Sequence, residues 1–341
     1  MYITSHLTLM NNSPQLPKKI AILYSHVQRE YFPTEEQYIT EKDAAHDAAI
    51  VAEHVKKLGL TPLLFAADPT LPERIRKEKP EMVLNLVDSV KGDEFLSSAI
   101  PGVLELLEIP YTGAGILGLA INCNKFITKE LLQQNGIPVP RFQMLANATD
   151  PLDSNFRFPV ISKLNEIHGS VEITEEAVSE NEQELLKRIK KLIALYHQPV
   201  LIEEYIEGRE LTVMLLEGSR LNVYNVEKVF HRKPKKYLIT TFSDQWKESQ
   251  KNIVHYEKFT DLHLDRLARR AFDALAMADY AKFDVRVDKR GQYFFIDANC
   301  NPAFGPVELE CAIADILAMY GISFAEILRR LFINTMNTAH R

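Results

Sequence analysis

The most informative stretch of the sequence is residues 282–302, which read KFDVRVDKRGQYFFIDANCNP. In its first part, apolar and polar residues alternate with the two-residue period of a β-strand. The polar face of that strand carries Lys282, Asp284 and Arg286. Residues 288–291 (DKRG) form a turn, after which a second strand returns. The segment therefore predicts an antiparallel hairpin with one apolar face and one polar face.

The polar face of this hairpin indicates a metal site. The returning strand carries Asp297 and Asn299 on a common face, and the hairpin brings both close to Asp284. Two carboxylates and an amide oxygen are hard ligands that suit Mg²⁺ bridging the phosphates of ATP. Lys282 or Arg286 beside them is placed to stabilise negative charge on a transferred phosphoryl group. The alternative is the solvated polar face of an edge hairpin, which fits a single Asp but not the whole set.

Composition places the chain among ordinary globular proteins. Its 341 residues are 46% hydrophobic and 25% charged, with a formal net charge of −6. This balance favours neither nucleic acid nor a membrane surface as partner, and no apolar run reaches the roughly 20 residues that span a bilayer. The first residues lack a signal-peptide pattern, and Cys123, Cys300 and Cys311 lack the spacing of a zinc site or disulfide framework. We expect a cytoplasmic protein.

The N-terminal part alternates strand and helix candidates. Short apolar runs at residues 19–24, 61–65 and 81–86 are typical of buried parallel strands. Residues 41–58 carry apolar positions at helical spacing and end at Gly59. This βαβαβ order predicts an open, mostly parallel sheet. No Gly-x-Gly-x-x-Gly follows the first strand, which argues against a dehydrogenase.

Proline and turn residues mark the boundaries between domains. A helix candidate at residues 119–135 is followed by the extended segment IPVP at 137–140. A second change of pattern occurs near residues 206–209. We therefore predict a loose tail at 1–17, an N-terminal parallel α/β domain at 18–118, a central lobe at 119–206 and a C-terminal lobe with the metal site at 207–341.

The sequence with these motifs resembles the ATP-grasp superfamily and, within it, the D-alanine–D-alanine ligases. The family pattern is an Asp followed, after a spacer, by Glu-x-Asn-x-x-Pro-Gly; here it reads Asp284, Asp297, Asn299, Pro302 and Ala303. The resemblance implies the ATP-grasp fold, an α/β class with α+β lobes behind an N-terminal parallel-sheet (pre-ATP-grasp) domain. It also implies ATP as cofactor and two Mg²⁺ ions, replaceable by Mn²⁺, on Asp284, Asp297 and Asn299.

Two upstream motifs resemble the family's phosphate-binding segments. IPYTGAG, with Lys125 further along, is similar to PYTG-x-G…DK and assigns Lys125 to ATP phosphate; taken alone, Lys125 fits a solvated helix lysine. PVISK is similar to PVIVK and assigns its last residue, Lys163, to phosphate as well. The loop that follows carries Gly169 and Ser170, a pair that lets backbone N–H groups approach anionic oxygens.

The segment VLIEEYIEGRE at residues 200–210 closely resembles the family's VLIEEYI-x-GRE. In such enzymes this strand and hinge line the adenine pocket, main-chain groups read the base, and the last Glu holds the ribose hydroxyls. The resemblance assigns nucleotide binding to Glu203, Glu204, Tyr205, Ile206 and Glu210. It also makes Lys282, Arg286 and Ser170 the candidate catalytic residues, with Lys282 in the place of a family Arg that assists at the transition state.

The amino-acid half of the site departs from the family. The family Glu that holds the first amino group corresponds either to Glu30, which an insertion separates from the expected helix, or to Glu41. Gln245 stands where a Lys is expected, with Lys247 close by, and Cys311 stands near the expected Ser of the acceptor site. A buried recognition group cannot be exchanged without leaving its partner unpaired. These changes therefore argue for an amino acid or small peptide other than D-alanine.

The predicted reaction joins two small molecules, a carboxylate and an amine, through an acyl phosphate, and releases ADP and phosphate. We expect residues 164–171 and 231–250 to close over the acyl phosphate and exclude water from it. The basic segment 231–236 is either part of that lid or a solvated loop. Two alternatives stay open: a non-ligase ATP-binding protein on the same fold, and a ligase acting on a carrier- or protein-bound carboxylate. Related ligases are often homodimers, but the sequence does not fix the oligomeric state.

Overall fold

The computed structural model describes residues 16–231, 236–246 and 254–338. They form one parallel and two antiparallel β-sheets with helices packed on them, which confirms the predicted mixed α/β class. Most of the predicted tail and much of the basic segment lie outside the described residues, and the four domain ranges stay predictions. No helix in the described ranges combines the length and apolar character that crossing a bilayer requires.

The N-terminal sheet has the parallel arrangement that the alternating pattern predicts. Strand β1 (Lys19–Ser25) lies between β2 (Thr61–Ala67) and β3 (Met82–Leu86). Its helices are α1 (Glu35–Ile39), α2 (Ala44–Lys57), α3 (Leu71–Glu78) and α4 (Ala99–Leu106). The carboxyl ends of parallel strands meet at one edge of a sheet, so the residues after β1 and β3 come together there.

The central sheet follows two short helices, α5 (Ile116–Asn122) and α6 (Lys125–Gln134). The sequence predicted one helix here, but the Asn124 side chain accepts a hydrogen bond from the Ile127 N–H and caps a new helix. The sheet order is β4-β7-β5-β6, all antiparallel. Its elements are β4 (Phe142–Leu145), β5 (Val160–Leu164), β6 (Val178–Ser179), the covering helix α7 (Glu182–Tyr196) and β7 (Val200–Glu204).

The C-terminal sheet is antiparallel with the order β10-β9-β8-β11-β12. Its strands are β8 (Gly208–Leu216), β9 (Asn222–Phe230), β10 (Val254–Phe259), β11 (Tyr280–Asp288) and β12 (Tyr293–Asn299). The helices of this part are α8 (Phe242–Trp246), α9 (Leu262–Ala274), α10 (Ala312–Met319) and α11 (Phe324–Thr338). Strands β9 and β10 were not predicted, because few of their residues are fully buried and their apolar signal is weak.

The predicted hairpin is formed by β11 and β12. Asp284 lies opposite Asp297, and Lys282 lies opposite Asn299, so the prediction that these polar groups come together is confirmed. On the other face, Phe283 is fully buried in the core between this sheet and α9. The hairpin thus holds Asp284 on a strand whose position is fixed by apolar packing.

Candidate functional site

A cleft lies between the two antiparallel sheets, and most of the predicted site residues line it. Those residues are Lys125, Lys163, Gly169, Ser170, Glu203, Glu204, Tyr205, Ile206, Glu210, Lys282, Asp284, Arg286 and Asp297. They come from α6, from the two antiparallel sheets, from the loop after β5 and from the segment between β7 and β8. The remaining predicted residue, Asn299, is not part of the cleft lining.

The acidic end of the cleft is built on Asp284 and Asp297. Asp284 Oδ2 accepts a hydrogen bond from Lys282 Nζ at 2.6 Å, and Oδ1 accepts one from Thr212 Oγ1 at 3.0 Å. Burial would raise the pKa of Asp284, but the positive charges of Lys282 and Lys228 overcome this and lower the pKa to about 2. Asp284 is therefore a carboxylate at neutral pH and presents negative charge beside Asp297.

The predicted metal ligands fall into two groups. Asp284 and Asp297 face each other across the hairpin in the cleft, whereas Asn299 Oδ1 accepts a hydrogen bond from the Asn301 N–H at 2.9 Å. The described residues contain no cluster of three or more His, Cys, Asp or Glu side chains arranged to hold a metal. Two carboxylates alone leave a hard cation most of its coordination sites for ligand oxygens and water, as is usual for Mg²⁺.

The cationic wall of the cleft contains Lys125 and Lys163. Lys125 Nζ donates to the carbonyl of Ile167 at 2.6 Å and so ties α6 to the loop after β5. Burial lowers the pKa of Lys125, although the nearby Asp297 counteracts this. Lys163 Nζ lies 3.2 Å from Glu203 Oε2 and 3.0 Å from the carbonyl of Ile296. Both lysines thus have protein partners while they border the cleft.

Lys228 is a cleft residue that the sequence reasoning missed. Its Nζ donates to Glu210 Oε1 and to Thr240 Oγ1, each at 3.0 Å. Burial would lower the pKa of Lys228, but Glu210 reverses this and raises it. Arg286 Nη2 lies 2.9 Å from the other oxygen of Glu210. Glu210 therefore lies between two cations. The sequence analysis would have identified Lys228 if β9 had been predicted as a strand paired with β8, because this pairing places Lys228 opposite Glu210.

The loop after β5 is held from several sides. Gly169 has φ +70°, and a Cβ there would lie 2.7 Å from Thr40 Cγ2, so only glycine fits without a shift. The Gly169 carbonyl accepts a hydrogen bond from Trp246 Nε1 at 2.8 Å. Next to it, the His168 N–H donates to Glu94, and the His168 ring pairs with the same carboxylate. This loop therefore contacts both the N-terminal domain and the α8 segment.

The end of β7 and the segment that connects it to β8 carry the predicted adenine-binding residues. Glu203 is 1% exposed and lies between two lysines. Glu204 Oε1 accepts from the Arg157 N–H at 3.0 Å, and the Tyr205 hydroxyl bonds both the N–H and the carbonyl of Leu238. These contacts hold the hinge, residues 205–207 between β7 and β8, in place. Ile206 contributes an apolar wall to the cleft.

Glu30 and Glu41, the two candidates for the residue that holds the substrate amino group, differ in burial. Glu30 lies in a short 3-10 turn and is exposed, whereas Glu41 is 7% exposed. Glu41 Oε2 accepts a hydrogen bond from Ser89 Oγ at 2.7 Å, just beyond the end of β3. Burial and the negative charge of Glu94 raise the pKa of Glu41 to about 7, and the Ser89 bond only partly offsets this. Glu41 is therefore a buried carboxyl group and Glu30 an exposed one, while the assignment of either to the substrate amino group stays a prediction.

The predicted lid is only partly within the described ranges. Residues 232–235 and Lys247 lie outside them, while Lys236 pairs with Glu180 and Gln245 lines the cleft. Cys311 is buried at the start of α10. The roles assigned to these residues stay predictions.

Comparison with known proteins points to one family. A family model described as "D-ala D-ala ligase C-terminus" matches residues 131–333. The uncharacterized protein y4sG of Sinorhizobium fredii is 30% identical over 229 residues, which are 65% of this chain and 65% of that protein. A D-alanine–D-alanine ligase of Aquifex aeolicus is 28% identical over 262 residues, which are 76% of this chain and 85% of that protein.

Solved structures show the same fold. The D-alanine–D-alanine ligase of Bacillus anthracis complexed with ATP has a TM-score of 0.70 at 17% sequence identity, and the match covers 94% of this chain and 98% of that one. At this identity the likeness establishes the fold, and it extends over nearly the whole chain.

Proposed function

Since the chain belongs to the D-alanine–D-alanine ligase family and is an ATP-dependent ligase of the ATP-grasp type, we propose that it joins a carboxylate to an amine through an acyl phosphate, with release of ADP and phosphate. The substrate is an amino acid or a small peptide. The names of the relatives specify D-alanine for those proteins. The departures at Gln245 and Cys311 favour a different substrate here.

One observation carries this proposal: four lysines and two aspartates from distant parts of the chain line one cleft. The lysines are Lys125, Lys163, Lys228 and Lys282, and the aspartates are Asp284 and Asp297. A cleft with this many cations suits a polyphosphate, and paired carboxylates beside them suit the metal ion that accompanies it. A stability role alone does not explain so many charged groups in one partly buried place, because each of them loses hydration there.

The nucleotide fits the other end of the cleft. Glu203 Oε1 is buried and accepts no well-oriented hydrogen bond from the described residues, although two lysines lie within ion-pair distance. A buried carboxylate oxygen of this kind can accept a hydrogen bond from the exocyclic amine of adenine. Tyr205 and Ile206 supply the adjacent wall for the base. Glu210 lies opposite Arg286, two residues from Asp284 on β11, so it stands near the acidic end, and we assign it to the ribose.

Chemistry at the acidic end needs positive charge where negative charge develops. When bound on Asp284 and Asp297, Mg²⁺ supplies Lewis-acid stabilisation of the phosphate oxygens. Lys125, Lys163 and Lys282 take up further charge as the phosphoryl group moves to the substrate carboxylate. The loop containing Gly169 and Ser170 covers the phosphates and keeps water from the acyl phosphate. Glu41, on the N-terminal side, holds the ammonium group of the amino-acid substrate.

Two other functions use the same fold. A non-ligase ATP-binding protein would not need paired aspartates beside the phosphate end, and Asp284 and Asp297 count against it. A ligase for a carrier- or protein-bound carboxylate would use the same cleft. It differs from the main proposal only in the size of the acceptor, so a substrate screen separates the two.

The test is phosphate release from Mg-ATP with a panel of D- and L-amino acids, dipeptides and pairs of amino acids, D-alanine included. Release that depends on particular substrates, and that Asp297→Asn abolishes, supports the ligase and names its substrate class. The matched control is Asp273→Asn, which changes an exposed aspartate of α9 and keeps activity. Tight Mg-ATP binding with no release for any panel member favours the macromolecular acceptor or the non-ligase function. Absence of ATP binding contradicts the proposal.

A further inference from the structure

Lys129 is a buried lysine that lies behind the cleft. It belongs to α6 and is 3% exposed. Its Nζ donates to the carbonyls of Phe295 at 3.3 Å and Ile296 at 3.2 Å, and it lies 3.2 Å from Glu203 Oε1. A fully buried lysine loses its hydration, so it is found only where fixed partners hold its charge. In this protein those partners belong to β7, which contains Glu203, and to β12, which contains Asp297.

Lys163 shares two of these partners, Glu203 and the Ile296 carbonyl. Its Nζ lies 3.1 Å from Glu203 Oε1 and 3.0 Å from the Ile296 carbonyl. Lys163 borders the cleft, whereas Lys129 borders only a small separate cavity behind it. A single carboxylate, Glu203, is therefore flanked by two lysines, of which one can reach a ligand and the other cannot.

We propose that Lys129 is the permanent counter-ion of Glu203, a positioning residue that frees Lys163 to bind the phosphates of ATP. The inference rests on the proposed ATP site. Without Lys129, Glu203 would have Lys163 as its only cationic partner within ion-pair distance among the described residues. Moving Lys163 to a phosphate would then leave a carboxylate that is 1% exposed without a counter-charge, which is strongly unfavourable. Lys129 removes that penalty because it is 3% exposed and held by the carbonyls of Phe295 and Ile296, so it remains beside Glu203 when Lys163 turns to a phosphate.

A purely structural role is the competing explanation. Lys129 also ties α6 to β12 through two backbone carbonyls, and its loss could simply loosen the cleft. The two explanations differ in what they predict for different ligands. Release of Lys163 affects only ligands with phosphates, whereas a loosened cleft weakens binding of the nucleoside part as well.

The experiment measures binding of Mg-ATP and of adenosine by calorimetry for the wild-type protein and Lys129→Met. We expect Lys129→Met to weaken Mg-ATP binding about tenfold or more, in line with the coupling energies of contacting residues. Adenosine binding should stay within about twofold, because without a phosphate Lys163 keeps its pairing with Glu203, which remains a charged acceptor for the adenine amine. The control Lys190→Met changes an exposed lysine of α7 and should leave both affinities unchanged. Equal weakening for both ligands, or no weakening of Mg-ATP, overturns the inference.

A second variant keeps the test decisive if Lys129→Met folds poorly. In Lys129→Met/Glu203→Gln both members of the pair are neutral, so no buried charge is left unpaired. Relative to Glu203→Gln alone, the added Lys129→Met change should cost less than about threefold in Mg-ATP affinity. A loss as large as in the wild-type background overturns the counter-ion role. Failure of the wild-type protein to bind Mg-ATP is a distinct result, because it contradicts the proposed function itself.

Discussion

The substitution Glu41→Gln tests whether the buried carboxylate of Glu41 is maintained for function rather than for stability. Glu41 is 7% exposed, and its pKa is raised from 4.5 to about 7 by burial and by Glu94. Gln keeps the shape and the bond to Ser89 Oγ but has no charge to bury. The variant should therefore be more stable than the wild-type protein at pH values at which Glu41 is ionised.

The direction and size of this gain in unfolding free energy follow from the linkage between proton binding and folding. Between pH 4.5 and about 7 the unfolded chain has lost the Glu41 proton while the folded protein retains it, so the stability of the wild-type protein falls as pH rises through this window. A pKa rise of this size corresponds to a penalty of about 3 kcal/mol at full ionisation. The gain from Glu41→Gln is thus near zero at about pH 4 and approaches about 3 kcal/mol at about pH 8.

Urea unfolding at several pH values, followed by fluorescence of Trp246, the single tryptophan, measures this gain. Glu30→Gln is the matched control, because Glu30 is exposed and its neutralisation should change stability little at any pH. A gain that does not grow with pH, or a loss of stability at high pH, would refute the reasoning. The same variant should lose substrate-dependent phosphate release while Glu30→Gln retains it, if Glu41 holds the substrate ammonium group.

Three further predictions test the loop, the hinge and the lid. Gly169→Ala forces a Cβ to 2.7 Å from Thr40 Cγ2 at φ +70°; we expect the KM for ATP to rise about tenfold, with partial recovery when Thr40→Ser removes that methyl group. Gly208→Ala places a Cβ 1.9 Å from a β11 carbonyl oxygen and should lower the free energy of unfolding by more than about 3 kcal/mol. Gly218→Ala, whose nearest contact is at 3.8 Å, should change it by less than about 1 kcal/mol. Because Trp246 donates to the Gly169 carbonyl, saturating Mg-ATP should change its emission; an unchanged spectrum argues against closure of this loop on the nucleotide.

The sequence by itself determined the elements whose signal is local. The alternation in residues 282–302 predicted the hairpin and placed Asp284 beside Asp297 correctly, because a two-residue period and a turn specify both face and register. The N-terminal parallel sheet followed from its alternating pattern in the same way. Lys125 and Lys163 were predicted from their resemblance to short motifs of the family, and both line the cleft; their contact with phosphate stays a prediction.

Only the tertiary structure decided which charged groups are buried and what they pair with. Lys129 belongs to no motif named in the sequence analysis, and the role proposed for it depends on Glu203 and on the backbone of β12, far away along the chain. Lys228 likewise became a site residue only once β9 was paired with β8. The difference in burial between Glu30 and Glu41 is likewise visible only in the folded protein. Periodicity and turn chemistry are local properties of the chain, whereas desolvation and charge pairing depend on segments that meet only in the folded protein.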